Sequence, residues 1–123
     1  MSFGSPFTFQ FLEEFGVPLK RMRAGERLFS EGDAGNQMFL VLEGKVDIFV
    51  GEKIVSTIGL HGIVGEMALV DLEPRSATAV VREAGEVALI DRATFLDLVR
   101  EQPAFALYVM GVLAKRLRHM NAA

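Results

Sequence analysis

The spacing of apolar residues changes along this chain, and each change marks a different kind of element. Near the start, Phe7, Phe11 and Phe15 recur at every fourth position with Leu12 beside them, while Glu13 and Glu14 fall off that stripe. Such a stripe belongs to an amphipathic helix. Ser5 and Pro6 supply an N-cap and a first-turn proline, and Gly16 and Pro18 supply a stop. The spacing therefore predicts a helix over residues 5–16. Its phenylalanine face is expected to lie on the core as a lid.

From residue 20 the helical period disappears. Short apolar runs follow at residues 27–30, 38–42, 45–50, 53–58 and 86–90. Between them stand clusters that tolerate positive φ, first Glu31-Gly32-Asp33-Ala34-Gly35-Asn36. Glu43-Gly44 reads as a tight turn, and Gly51-Glu52 as the turn of a hairpin. Gly59, Gly62 and Gly65 punctuate the next stretch. Strands this short, with turns about every 8–12 residues, predict an antiparallel sandwich or barrel of about eight strands over residues 20–90. The helical period then returns. Asp91 is an N-cap for a helix over residues 92–101 that buries Phe95, Leu98 and Val99. Pro103 opens a last helix running to about residue 120. That helix is apolar almost all round through Leu113, which calls for two partners: its own barrel and another subunit. The expected fold is mainly β with flanking helices (α+β).

A chain of 123 residues, half of them apolar, is one domain spanning residues 1–123 with its own core. Absence of cysteine removes disulfides, thiolate metal sites and cysteine nucleophiles. A net charge of −3 gives no footprint for nucleic acid, so no direct DNA binding is expected. Lys115, Arg116, Arg118 and His119 form a basic cluster, which a helix C-terminus accommodates through its dipole. The N-terminus lacks the pattern of a signal peptide. The longest apolar run, residues 104–114, is far short of the ~20 residues of a membrane span. The expectation is a cytoplasmic protein without a membrane span.

The candidate chemistry lies in residues 62–81. Gly65-Glu66-Met67-Ala68-Leu69 opens the region, and Pro74-Arg75-Ser76-Ala77-Thr78 closes it. Arg75 leads into the apolar run Ala77, Ala79, Val80 and Val81. An arginine there points to solvent or into the barrel, and inside it needs a partner. Phosphate suits it, because the planar fork meets two oxygens together. Glu66, at the start of a short helical turn, can accept from a ribose hydroxyl. Small Ala68 lets a ligand approach the backbone, and Ser76 adds a hydroxyl beside Arg75. A second reading stands at this point: Glu66 and Arg75 form a buried ion pair.

These two motifs resemble the phosphate-binding cassette of cyclic nucleotide-binding domains, the family of the bacterial catabolite activator protein, protein kinase A regulatory subunits and cyclic nucleotide-gated channels. Ala24-Gly25-Glu26, Glu31-Gly32-Asp33 and the run from Met38 to Gly44 resemble the family's early strands, so the likeness extends from about Arg23 to Met120. The resemblance implies an eight-stranded antiparallel β-roll, or jelly roll, with an N-terminal helix, a short cassette helix and two C-terminal helices. It implies a pocket for cAMP or cGMP. Glu66 then takes the ribose 2′-OH, Arg75 the cyclic phosphate, and backbone N–H groups near Ala68 and Ser76 complete the phosphate cage. Gly65 lies near the ribose, and Met67 and Ala77 fall within the matched motifs. Arg116 stands where channel-type members place an arginine against the purine, the other reading being a solvated helix-end residue.

The chain also departs from the pattern. Val64 stands where a phenylalanine is usual. Ser76 leans to cAMP over cGMP. The end of the chain at Ala123 leaves no room for a helix-turn-helix. His61 and His119 are the only histidines, so neither a metal site nor a cupin-type enzyme is expected, and no cofactor beyond the nucleotide ligand. The resulting expectation is a sensor module, not an enzyme, whose last helix closes over the base. Its output passes to an effector protein or through a homodimer at that helix. The alternative is an interaction or scaffold protein of the same fold that binds no nucleotide.

Overall fold

The computed structural model describes residues 9–71 and 73–121. Its elements are α1 (Gln10–Glu14), β1 (Leu19–Met22), β2 (Arg27–Phe29), β3 (Gln37–Val50), β4 (Lys53–Ile58), β5 (Ile63–Val64), a 3-10 turn (Glu66–Leu69), β6 (Thr78–Asp91), α2 (Arg92–Glu101) and α3 (Ala104–Asn121). The architecture is mainly antiparallel β with flanking helices. Ser5, Pro6 and Phe7 lie outside the described residues. The described part of the N-terminal helix is short. Leu12 enters the core, whereas Phe15 is 39% exposed, since Gly16 takes φ +83° and turns the chain away directly after it.

The sheet has six strands in the order β1-β6-β3-β4, with β2 added to β6 and β5 to β3. Strands number six among the described residues because β3 and β6 each absorb two of the runs read separately from the sequence. Glu43-Gly44 is a bend inside β3, not a turn. Pairing with β6 continues through it, from Gln37↔Asp91 to Phe49↔Thr78, with register shifts between Val41 and Val46. Two glycines permit the crossing. A Cβ on Gly85 would stand 1.9 Å from the Glu43 carbonyl oxygen, and one on Gly44 would stand 2.5 Å from that of Glu83. Gly44 also has φ +93°, the left-handed conformation that only glycine adopts freely. The bends curl the sheet into a roll.

Alternation along β3 then builds two cores. Met38 and Leu40 join Leu12, Ile90, Leu98 and Phe105 between sheet and helices. Phe39 and Val41 join Met22, Val46, Val81 and Val87 inside the roll. Because both faces of this strand are covered, its sequence is continuously apolar. Asp91 caps α2 as expected, its side chain accepting from the Thr94 N–H at 2.8 Å. On α3, Phe105 and Val109 are buried, while Leu107, Met110 and Leu117 are 67%, 56% and 58% exposed. One of the two partners that helix calls for is therefore the core; the outer stripe is uncovered among the described residues. No helix is long and apolar enough to cross a membrane among these residues.

Candidate functional site

The short 3-10 turn, the segment after Pro74, the β4 wall and the end of α3 enclose a pocket of about 980 Å3. Gly65, Glu66, Met67, Ala68, Arg75, Ser76, Ala77 and Arg116 all line it. The fold thus brings together every residue singled out from the sequence. Gly65 makes the entry to the turn possible with φ +75°, and the Ala68 N–H donates back to the Gly65 carbonyl at 3.3 Å. Met67 is 57% exposed, and Ser76 is exposed at the pocket edge.

Arg75 is the most constrained of these residues. Its exposure is only 9%, unusual for a cation. Its backbone is held from both sides: its N–H donates to Asp33 O, and its carbonyl accepts from the Gly32 N–H, each at 2.8 Å. Nη1 donates to the Gly65 carbonyl at 3.0 Å and Nη2 to the Gln37 carbonyl at 2.8 Å. The Phe29 ring lies 4.2 Å from Cζ, a cation–π contact. Nε is buried with no hydrogen-bond partner. Among the described residues no carboxylate forms a salt bridge with this guanidinium; it is seated on carbonyls and a ring. Burial lowers the Arg75 pKa from its ordinary value, and the nearby charges of Asp33 and Glu66 oppose that shift. The site is thus a fixed positive group in a partly dry pocket, and an anion entering it gains both Coulomb energy and hydrogen bonds.

Glu66 is not the partner of Arg75. Its Oε1 accepts from Nη1 of Arg116, fifty residues away on α3, and Oε2 accepts no hydrogen bond among the described residues. Arg116 also donates Nη2 to the Ile63 carbonyl at 2.7 Å. Its guanidinium is therefore not a solvated helix-end group. It ties α3 to the cassette turn and holds one oxygen of Glu66, leaving the other to accept from a hydroxyl. Acceptor and cation thus line one pocket without pairing with each other.

Sequence reasoning missed several contributors. Phe29 and the Gln37 carbonyl seat Arg75, and Gly35 packs against it so closely that a Cβ there would lie 2.3 Å from Nε. Val55 and Ser56 of β4, with Leu117 and His119 of α3, also line the pocket. The exposed apolar Val55, 54% accessible on an edge strand, was the available signal for the β4 wall. Nothing in the sequence singled out Phe29. Val64, in place of the usual phenylalanine, is 2% exposed and pairs with Phe39 in β3, so it belongs to the roll core as well as the pocket lining.

The family model described as the cyclic nucleotide-binding domain matches residues 19–102. The cyclic AMP receptor protein of Thermus thermophilus is 37% identical over 102 residues, covering 79% of this chain and 47% of that protein. A cGMP-dependent protein kinase of Eimeria tenella is 42% identical over 82 residues, covering 65% of this chain and 8% of the kinase. Among solved structures, the Thermus thermophilus catabolite activator protein superposes with a TM-score of 0.78 at 28% identity, covering 95% of this chain and 58% of its own. The chain spans less than half the length of these curated relatives.

Proposed function

We propose that the chain, which belongs to the cyclic nucleotide-binding domain family, binds a cyclic nucleotide as a regulatory module and is not itself an enzyme. The observation that carries this reading is Arg75, a buried guanidinium with no carboxylate partner and an orphaned Nε, in a pocket large enough for a nucleotide. Arg75 takes the cyclic phosphate, and Oε2 of Glu66 takes the ribose hydroxyl. The Ser76 hydroxyl beside the phosphate supports cAMP over cGMP. So does the similarity to a cyclic AMP receptor protein, which covers more of the chain than that to the cGMP-dependent kinase.

The readout follows from the Arg116–Glu66 pair. A ligand shifts an equilibrium only through contacts that differ between the two states. Ribose binding at Glu66 alters the group that holds α3, so α3 closes over the base and transmits occupancy. The exposed Leu107 and Met110 form the surface through which a second copy or an effector protein receives the signal. A cytoplasmic setting, with no resident cofactor and no direct DNA contact, fits the absence of cysteine and the acidic charge.

Isothermal titration with cAMP and with cGMP tests the reading. Saturable heat with cAMP, and weaker binding of cGMP, is expected. No heat with either ligand up to millimolar concentration overturns it. Arg75→Leu removes the phosphate partner and should cost about 2–5 kcal/mol of binding, the range for breaking a buried charge pair. The variant also leaves the Gly65 and Gln37 carbonyls without their donor, so a thermal melt recorded alongside must show that it is folded.

A further inference from the structure

A second cavity adjoins the cassette turn and shares Glu66, Met67 and Leu113 with the first. It measures about 240 Å3. Fully buried Met38 contributes to its lining, together with Leu69 of the 3-10 turn, Phe95 and Leu96 of α2, and Val109 of α3. Around it Val70 is 75% exposed and Leu96 52%, so apolar surface is left in contact with water where three elements meet. Apolar concavities of this kind mark binding sites more often than isolated exposed residues do.

Two charged residues take part in the lining, Glu66 and Arg92. Glu66 is already engaged by Arg116. The side chain of Arg92, the first residue of α2, makes no ion pair or hydrogen bond among the described residues. An apolar cavity with one uncommitted cation selects an apolar molecule carrying one negative charge. Size narrows the class further. A dry cavity of about 150 Å3 takes a benzene ring, so the present one has room for a bicyclic aromatic or a short alkyl chain.

We propose that this cavity is a second ligand site, taking a small apolar monocarboxylate whose hydrophobic body lies between the cassette turn, α2 and α3 and whose carboxylate pairs with Arg92. The site adjoins the nucleotide pocket and shares Glu66, Met67 and Leu113 with it, but it is distinct from the phosphate end, because Arg75 and Ser76 take no part in its lining.

The test uses 1-naphthoate as probe and 1-naphthalenemethanol as its neutral counterpart, titrated calorimetrically into the nucleotide-free protein, with amide chemical shifts recorded in parallel. Naphthoate is expected to saturate and to bind about fivefold more tightly than the alcohol, a modest margin because Arg92 is exposed. Shifts should centre on Leu69, Leu96 and Val109. Arg92→Gln should remove the preference for the acid while leaving the alcohol and cAMP unaffected. Leu96→Trp, at an exposed position that tolerates bulk, should fill the mouth and weaken both probes. The proposal is overturned by absence of saturable binding, by equal acid preference in Arg92→Gln, or by shifts centred on Arg75 and Ser76. Since nucleotide is omitted, failure here leaves the cyclic nucleotide reading intact, and failure of cAMP to bind leaves this one intact.

Discussion

Gly35→Ala tests whether the seat of Arg75, and not merely its charge, makes the phosphate site. Gly35 does not occupy the left-handed region, so alanine introduces no backbone strain. The new Cβ would stand 2.3 Å from Arg75 Nε, 2.5 Å from Cζ and 2.6 Å from Nη2. Ordinary contact needs about 3.5–4.0 Å, so the guanidinium must retreat by about 1 Å. Phe29, 4.2 Å from Cζ, and the Gly65 carbonyl hem it in on other sides. The contact most exposed to this shift is Nη2 to Gln37 O, now 2.8 Å. Loss of one charge-assisted hydrogen bond costs about 1.5–3 kcal/mol. The stiffer unfolded chain returns about 0.4–1 kcal/mol to stability, so the fold should survive with a Tm lower by several degrees. For the ligand, the displaced fork misses its phosphate oxygens, and at about 1.4 kcal/mol per decade the cAMP Kd should rise about tenfold to a hundredfold. Gly59→Ala is the matched control, with nothing within 4 Å of its Cβ and no left-handed φ, and should bind within about twofold of wild type. Calorimetry and thermal melts on the three proteins decide the matter. A Gly35→Ala protein with unchanged Kd would refute the account of a rigidly seated arginine, even if Arg75→Leu abolishes binding.

Other consequences follow from the same contacts. Arg116→Ala leaves the carboxylate of Glu66, only 14% exposed, without its partner. It should lower stability by about 1–2 kcal/mol, between surface and buried pairs, and weaken cAMP without abolishing binding; urea melts and titration that both match wild type would reject the coupling of α3 to the cassette. Burial lowers the pKa of His61 from 6.5, and its ring stacks on Phe9 at 3.7 Å. The unfolded chain then takes up the proton first, so this contribution is complete above pH 6.5 and lost as pH falls through the lower folded value. His61→Asn, which tolerates the positive φ of 63° there, should flatten the Tm profile between neutral pH and the folded value; an unchanged slope excludes His61 as its source. Asp91→Ala removes the α2 cap and should cost about 1 kcal/mol at neutral pH. The Thr94 N–H lowers the Asp91 pKa from 3.8, so this cap weakens only as pH falls below that value through the folded one; wild type and variant should converge in strong acid.

Local chemistry was legible in the sequence. Asp91 announced a helix start because a side-chain oxygen two or three residues from a free N–H needs no tertiary partner. Gly65 and Gly51 announced their turns by the same local logic, and both have positive φ. The residue types in the two cassette motifs named the cation and the acceptor, and the fold places both in one pocket. The same local logic misread Gly44. A glycine with positive φ ends a strand or bends it, and only the partner strand decides which. Here β6, with Gly85 opposite, keeps the ladder running through the bend.

What the sequence alone determined, then, is the chemistry of each short segment: caps, turns, the two-faced apolar strand, and the charged residues of the pocket. What tertiary structure decided is which of those charges meet. Glu66 stands much closer along the chain to Arg75 than to Arg116, yet pairs with Arg116 because α3 packs back across the roll. Arg75 is left to the carbonyls of Gly65 and Gln37 and to the Phe29 ring, the latter two contributed by strands that precede it by dozens of residues. Sequence separation carries no information about such contacts, since chain closure over long loops costs little more than over short ones. The packing of β3, β6 and α3 selects among them, and so turns a list of plausible ligands into one carboxylate with a free oxygen and one cation in need of an anion.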